Sequence, residues 1–300
     1  MKKKRKTNWP VIFILPFFAT YLIFNLFPIL FSFYISLTKW KGFGPMEFIG
    51  FRNYSSLLRD TAFYHSLFNS LILVLEAMIP IQILGLIVAL LLNYGFIKWG
   101  NTYVRNAMFL PYVTAPIAIG IIFSTMLDKN FGIINVMLRD LGIISKNIDW
   151  LHNPAISKPL VAFITNWRYI GYVAVIYLSG LQGISSEIYD AAKVDGASRL
   201  QQIWYITLPA IKPTIIMLTL ISLGGIIRAD FGMFFFLPNE SGALFPTTDV
   251  IDTYVFRTLR KIGDINMSSA ASFYQSIVGF VLVVVSNGVI RRIDRESAIY

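Results

Sequence analysis

Four ionisable residues, Glu76, Arg168, Arg228 and Asp230, lie inside long apolar runs of the chain. A charge held at membrane depth costs about 3 kcal/mol or more unless it is paired, hydrated or turned toward a cavity. Such residues therefore form a structural ion-pair network or mark a polar path. Near one of them stand Asn166, Trp167, Tyr172 and Tyr177. A polyhydroxylated solute such as a sugar needs matched hydrogen-bond donors and acceptors, and its apolar ring faces stack on aromatic side chains. Asn166 and Arg168 beside Trp167 and Tyr172 suit both demands, and Arg168 and Tyr172 share a helical face at i,i+4. All four charges fall in the outer half of their runs. Glu76, Arg168 and Asp230 also suit a proton relay, which is how an ion-coupled secondary transporter works. The network, the sugar path and the relay stay open at this point.

Covalent chemistry has little to draw on. The chain has no cysteine, hence no disulfide, thiolate metal site or cysteine nucleophile. His65 and His152 both fall in expected outside loops, so a histidine metal site or triad is not expected. No G-x-x-x-x-G-K-[ST], H-E-x-x-H or G-x-S-x-G occurs. The chain reads as a non-enzyme that binds neither metal nor nucleotide.

The elements that must position these residues follow from composition. Hydrophobic residues make up 56% of the 300 and charged ones 14%, against about 25% charged in a soluble domain. The mean hydropathy is +0.63 and aromatics reach 15%. This is an integral membrane protein. A membrane-crossing helix needs about 20 apolar residues, and six stretches qualify: 11–37, 67–94, 106–127, 159–183, 212–237 and 270–290. The first is too long for a signal-peptide core and no small-residue cleavage site follows it, so it reads as a retained span. Pro80, Pro111 and Pro116 are expected to interrupt spans two and three. One all-α membrane domain over 1–300 is expected, with no attached soluble domain. The net charge of +10 reflects topology, not nucleic acid. Lys2 to Lys6 near one end and Arg291, Arg292 and Arg295 near the other place both termini in the cytoplasm by the positive-inside rule.

Between spans four and five the chain changes character. Residues 184–211 carry alternating charges and alanines. Ser186 suits an N-cap, with Glu187 and Asp190 early in a helix where acids favour the dipole. Gly196 suits a left-handed end to that helix. Ser198 and Gln201 then form a capping box opening a second helix. Leu200, Ile203, Trp204, Thr207 and Leu208 recur on one face of it, and Leu208-Pro209 is expected to stop it. Two short helices joined at a glycine corner either tuck against their own bundle or dock a soluble partner.

Tyr189-Asp190-Ala191-Ala192, Asp195-Gly196-Ala197 and Ile206-Thr207-Leu208-Pro209 resemble the EAA motif of ABC-importer permeases. One departure is that Asp190 stands where that family usually has Glu, one methylene longer. Downstream, Asp249 to Arg257, Gly263-Asp264 and Ser272 to Gly279 resemble the carbohydrate branch, within it the permeases that work with lipoprotein binding proteins for complex sugars. Read alone, 249–257 is a short amphipathic helix capped by Asp249, with Ile251, Tyr254, Val255 and Thr258 on one face. It lies in the membrane interface or forms a rim that supports a binding protein.

The resemblance implies a type I ABC-importer permease fold of six transmembrane helices. It implies a cytoplasmic coupling-helix pair between spans four and five, and half of a pathway for oligosaccharides. Glu187, Asp190, Ala191, Ala192, Asp195, Gly196, Ala197, Ile206, Leu208 and Pro209 would couple to the ATPase. The implied partners are a second homologous permease, two ABC ATPase subunits that carry ATP and Mg, and an extracellular sugar-binding lipoprotein. The implied location is the bacterial cell membrane. A membrane scaffold without transport function is the remaining alternative.

Overall fold

Long apolar runs with no water to satisfy their backbone must form helices. The computed structural model describes residues 9–95, 101–225, 227–238 and 242–293, and it is helical nearly throughout. The basic stretch 2–6, Arg295 and part of the turn near 95–105 lie outside the described residues. We label the elements α1 (Phe13–Ser36), β1 (Thr38–Lys39), β2 (Glu47–Phe48), α2 (Thr61–Asn93), α3 (Asn101–Val113), α4 (Pro116–Met126), α5 (Pro154–Gln182), α6 (Ser186–Val194), α7 (Arg199–Ala210), α8 (Lys212–Gly224), α9 (Phe231–Phe236), α10 (Ile251–Arg257) and α11 (Ile265–Ile293). Among the described residues, α1, α2, α5 and α11 are long and apolar enough to cross a membrane. Counting the bent pairs α3–α4 and α7–α8 as one span each brings the total to six.

Three sequence expectations are corrected here. The prolines do not act alike: Pro80 sits inside an unbroken α2 and Pro111 inside α3, whereas α3 and α4 meet at 94° just before Pro116. Ala115 is extended (φ −55°, ψ 130°), as a residue preceding proline prefers. The expected fifth span, 212–237, is not one helix. It ends at Gly224 and restarts at Phe231, because Asp230 is extended and its side chain caps α9 by accepting from Met233 N. The chain is also not wholly α: β1 and β2 pair antiparallel, Thr38 opposite Phe48.

The chain divides into two compact units, 1–60 with 255–276, and 61–254 with 277–300. In the first, Asn266 ties the hairpin to α11 by accepting from Trp40 N (3.1 Å) and donating to Trp40 O (2.9 Å). Phe33 packs on Phe273 with ring centroids 4.4 Å apart. Asn53 donates to the carbonyls of Ser36 and Thr38, securing the end of α1.

The second unit is organised around α5, whose buried residues run from Ser157 to Leu181. Two apolar clusters grip it. Near its start Val161 and Ile164 join Leu73, Ile119, Met233 and Leu237. Toward its end Val173, Tyr177, Leu178 and Leu181 join Ala89, Leu92, Ile211 and Leu218. The polar band Thr165 to Tyr172 lies between them. The loop leading to α5 is ordered by buried Asn135, which donates to Ile148 O (2.9 Å) and accepts from Ile148 N and Trp150 Nε1. Backbone N–H groups of Phe131 and Asn130 hold the Asp128 carboxyl below the usual carboxylate range.

Close approach of α3 to α5 depends on Gly171, where a Cβ would fall on the Met108 carbonyl. Gly171→Ala is therefore expected to cost about 1–3 kcal/mol through overpacking. It should lower the thermal midpoint of the purified protein in detergent. Gly288→Ala, at a position with nothing within 4 Å, should leave the midpoint unchanged. Equal midpoints for both variants would show that the helices are not in contact at Gly171.

Candidate functional site

A cavity of about 240 Å³ opens beside the polar band. Its walls come from α2 (Ala77, Met78, Ile81), α5 (Thr165, Tyr169, Tyr172, Val173), α8 (Leu218, Ser222) and the broken segment after α8 (Arg228, Asp230). Thr165, Tyr169, Tyr172 and Val173 are spaced i, i+4, i+7 and i+8, which aligns them on one face of α5.

Arg168 stands next to this face, 5% exposed, and forms an ion pair with Asp230. Its guanidinium carbon lies 5.0 Å from the centroid of the Tyr169 ring and 6.0 Å from that of Tyr112. Tyr112, from α3, stacks on Tyr172 at 4.3 Å and 16° between planes. The pair thus sits in an aromatic setting that favours a desolvated cation. A hydrogen-bond chain also reaches the cavity: Tyr177 donates to Gln82 Oε1 (2.5 Å), and Gln82 donates to Ser222 Oγ (3.1 Å).

The sequence-derived path is only partly assembled. Tyr172 and Asp230 line the cavity, Arg168 borders it through the ion pair, and Tyr177 reaches it through Gln82. Trp167 does not line it. That residue is 43% exposed and packs edge-to-face on Phe123 at 5.6 Å. The reason is helical geometry, since Trp167 and Tyr169 are about 200° apart around α5. Asn166 is buried away from the cavity and donates to Ala162 O. Glu76 pairs with Lys158 at 3.2 Å, and Lys158 is ten residues, about 15 Å, along α5 from Arg168. Sequence reasoning missed Thr165, Tyr169, Tyr112, Gln82 and Ser222. The 3.6-residue repeat from Tyr172 back to Thr165 is the signal that would have found the first two.

The second site is the polar helix pair. Ser185, not Ser186, caps α6, accepting from Glu187 N. Serine-rich caps leave this choice to the backbone angles, and Ser185 is the extended residue (φ −60°, ψ 133°). At the other end Gly196 has φ +79°, Ala197 N donates to Ala192 O and Gly196 N to Lys193 O. These two bonds make a Schellman stop. The Ser198–Gln201 capping box opens α7 as expected.

Leu208-Pro209 does not end α7. A π turn over Ile203–Thr207 widens the helix ahead of Pro209, so the ring is admitted and the 60° bend falls at Ile211 instead. The pair is also turned around relative to an ordinary amphipathic helix. Polar Gln202 and Thr207 are buried, 4% and 0% exposed, while Val194, Leu200, Trp204 and Tyr205 are 66–88% exposed. Thr207 explains the inversion. Its hydroxyl bonds with Tyr94 OH and Tyr189 OH, both at 2.9 Å, and Gln202 donates to Ala197 O. Burial pushes the Tyr189 hydroxyl above its ordinary pKa, with the Thr207 bond working against it. These polar contacts join α6, α7 and the end of α2 and leave the apolar side chains outside. Glu187, Asp190, Ala191, Asp195, Gly196 and Pro209 are exposed, while Ala192, Ala197, Ile206 and Leu208 are half-buried. Asp190 meets Lys193 at 2.8 Å in an exposed pair, a contact worth little by itself. Beside it lies an open cleft of about 670 Å³ lined by Tyr94, Tyr189, Asp190, Lys193 and Arg199.

Residues 81–298 match the family described as binding-protein-dependent transport system inner membrane component. The chain is 31% identical over 264 residues to the lactose transport system permease protein LacF of Rhizobium radiobacter, covering 87% of each. It is 33% identical over 218 residues to the arabinooligosaccharides transport system permease protein AraP of Bacillus subtilis (strain 168), covering 72% of this chain and 68% of that one. Among solved structures it resembles a chain of the bacterial alginate ABC transporter in complex with alginate pentasaccharide-bound periplasmic protein. The TM-score is 0.84 with 27% identity, over 95% of this chain and 94% of that one. The type I ABC-importer permease fold expected from the resemblance is the fold found.

Arg168 and Asp230 are expected to couple. Breaking one side of a buried pair costs about 3–5 kcal/mol, more than removing both. A double-mutant cycle of Arg168→Gln with Asp230→Asn, read by thermal unfolding, should show strong non-additivity. The same cycle with Glu76→Gln should be additive. Additivity in the Asp230 cycle would dissolve the pair.

Proposed function

The chain belongs to the binding-protein-dependent transport system inner membrane components, and we propose that it is a permease subunit of an ATP-driven oligosaccharide importer. One observation carries the coupling half of this reading: α7 buries Gln202 and Thr207 while the pair exposes Val194, Leu200, Trp204 and Tyr205. An apolar set of this kind on a polar loop suits a partner's cleft. The partner would be an ABC ATPase subunit, two per importer, supplying the ATP and Mg that this chain has no motif to bind. Glu187, Asp190, Asp195, Gly196 and Pro209 would face it. In this reading the chain crosses the bilayer six times, with α3–α4 and α7–α8 as bent spans. The helix pair and both termini are cytoplasmic, and a second, similar permease completes the pathway.

The cavity beside Arg168 would be this chain's part of that pathway, with Tyr169, Tyr172, Thr165 and Ser222 offering hydroxyls and ring faces. The relatives' names, lactose and arabinooligosaccharides, support the sugar class. The complex with a periplasmic protein supports a sugar-binding protein as the extracellular partner. The ion-coupled alternative loses its relay, because Glu76 and Asp230 belong to separate ion pairs.

Gly196→Val tests the coupling assignment. A β-branched residue is strained at φ +79°, so the corner should deform. The variant should reach the membrane at normal levels, yet lose uptake and substrate-stimulated ATP hydrolysis. Trp204→Ala should reduce co-purification of the ATPase subunits without lowering the level of the chain itself. Wild-type uptake with normal ATPase stimulation in both variants would remove α6–α7 from the coupling path.

A further inference from the structure

The charge balance of the cavity beside α5 is uneven. Among the lining residues that are charged, Asp230 is a carboxylate and Arg228 a guanidinium. Asp230 is already neutralised by Arg168, which is buried and held against Tyr169. Arg228 is exposed and has no carboxylate within ion-pair distance among the described residues, so its guanidinium is an unpaired cation in the cavity lining. Its position is set by the backbone: Arg228 N donates to Gly225 O at 2.8 Å, and Ala229 N donates to Asp252 Oδ2 at 2.9 Å. The remaining walls are apolar or neutral hydroxyls. A guanidinium beside such walls is poorly compensated by a neutral sugar, whose hydroxyls are weak acceptors. A carboxylate meets it with two parallel charge-assisted hydrogen bonds.

From this imbalance, and resting on the importer reading above, we propose that the transported oligosaccharide is acidic, with Arg228 receiving a uronate carboxylate in this cavity. The volume of about 240 Å³ is below the roughly 300 Å³ of the smallest drug-sized pockets. It suits one ring of a longer chain. The uronate ring would lie by Tyr172, whose one face is taken by Tyr112, with Thr165 and Ser222 meeting its hydroxyls. Arg228 is in this account a specificity-determining residue. Arg168 is a positioning residue that keeps Asp230 from competing for it.

The test is uptake by cells carrying the assembled importer. The probes are trigalacturonate and trimannuronate, each against its carboxyl-reduced neutral counterpart of the same linkage. The wild type should take up an acidic probe about tenfold faster than its neutral partner, the discrimination that one charge-assisted contact supplies. Arg228→Gln should lower that acid-to-neutral ratio about tenfold, and Arg228→Lys should retain an intermediate ratio. Should Arg228→Gln fail to reach the membrane, the lysine variant and the wild-type ratio still decide. Neutral probes entering as fast as acidic ones, or a ratio unchanged by Arg228→Gln, would overturn acid selectivity while leaving the sugar importer intact. Uptake of none of the four probes would overturn this proposal, and uptake of a neutral arabinooligosaccharide by the same cells would show that the sugar reading stands without it.

Discussion

A charge in a low-dielectric interior must find a partner, and Arg168 with Asp230 is where this protein meets that requirement. Arg168 is midway along a 29-residue helix, too far from either end to extend its side chain to the interface. Its counter-ion comes from a distant part of the chain, at the point where the fifth apolar run stops being helical. The pairing and the break depend on each other. An unbroken helix from Lys212 to Leu237 would bury its own backbone, and Asp230 would have no α9 to cap. Because the run opens after Gly224, the Asp230 carboxylate can both cap α9 and reach Arg168. The cavity is the space left by this break, bounded by apolar clusters at either end of α5.

Close helix contact supplies the rigidity that the ion pair needs. α3 approaches α5 to backbone contact at Gly171, which brings Tyr112 against Tyr172 and Tyr169 and completes the aromatic surround of the guanidinium. A larger residue at 171 would move Tyr112 outward and leave Arg168 with fewer neighbours in place of water. The 94° bend between α3 and α4 then carries the chain back across Ile119 into the cluster near Val161. Proline supplies that bend only at position 116, where the preceding residue is extended. Pro80 and Pro111 are absorbed within helices.

The α6–α7 pair solves the opposite problem, keeping apolar side chains in the open. Thr207 does so by collecting two tyrosine hydroxyls in the interior, while Gln202 satisfies the carbonyl of Ala197 at the corner. The π turn rotates α7 between Gln202 and Leu208, which lets Thr207 point inward while Trp204 and Leu200 point out. The tie to Tyr94 connects the pair to the end of α2, one of the walls of the cavity. Through Tyr94 the pair is thus hydrogen-bonded to the end of the helix that carries Ala77 and Met78.

How much of this was legible in the sequence depended on range. Some local signals held: the apolar runs marked the long helices, Gly196 the left-handed stop, and Ser198 with Gln201 the cap of α7, because each rests on interactions within a few residues. Ser186 and Leu208-Pro209, equally local, gave way to Ser185 and to the π turn. The polar residues and caps of 184–211 marked the helix pair, and the match over residues 81–298 bears out the family. Sequence also singled out Arg168 and Asp230 as charges needing partners. It left Glu76 and Asp230 as equal choices, since nothing local distinguishes carboxylates 92 and 62 residues away. The tertiary structure made that choice by placing Lys158 beside Glu76. It also turned Trp167 from the cavity and Tyr169 toward it, a difference of two residues on one helix that depends on which face meets α2. The break after Gly224 was hidden for the same reason: Ile227 and the Phe231 to Phe236 run are as apolar as any span, and opening the helix is favoured by contacts that Asp230 and Ala229 make outside it, with Met233 N, the distant Arg168 and Asp252.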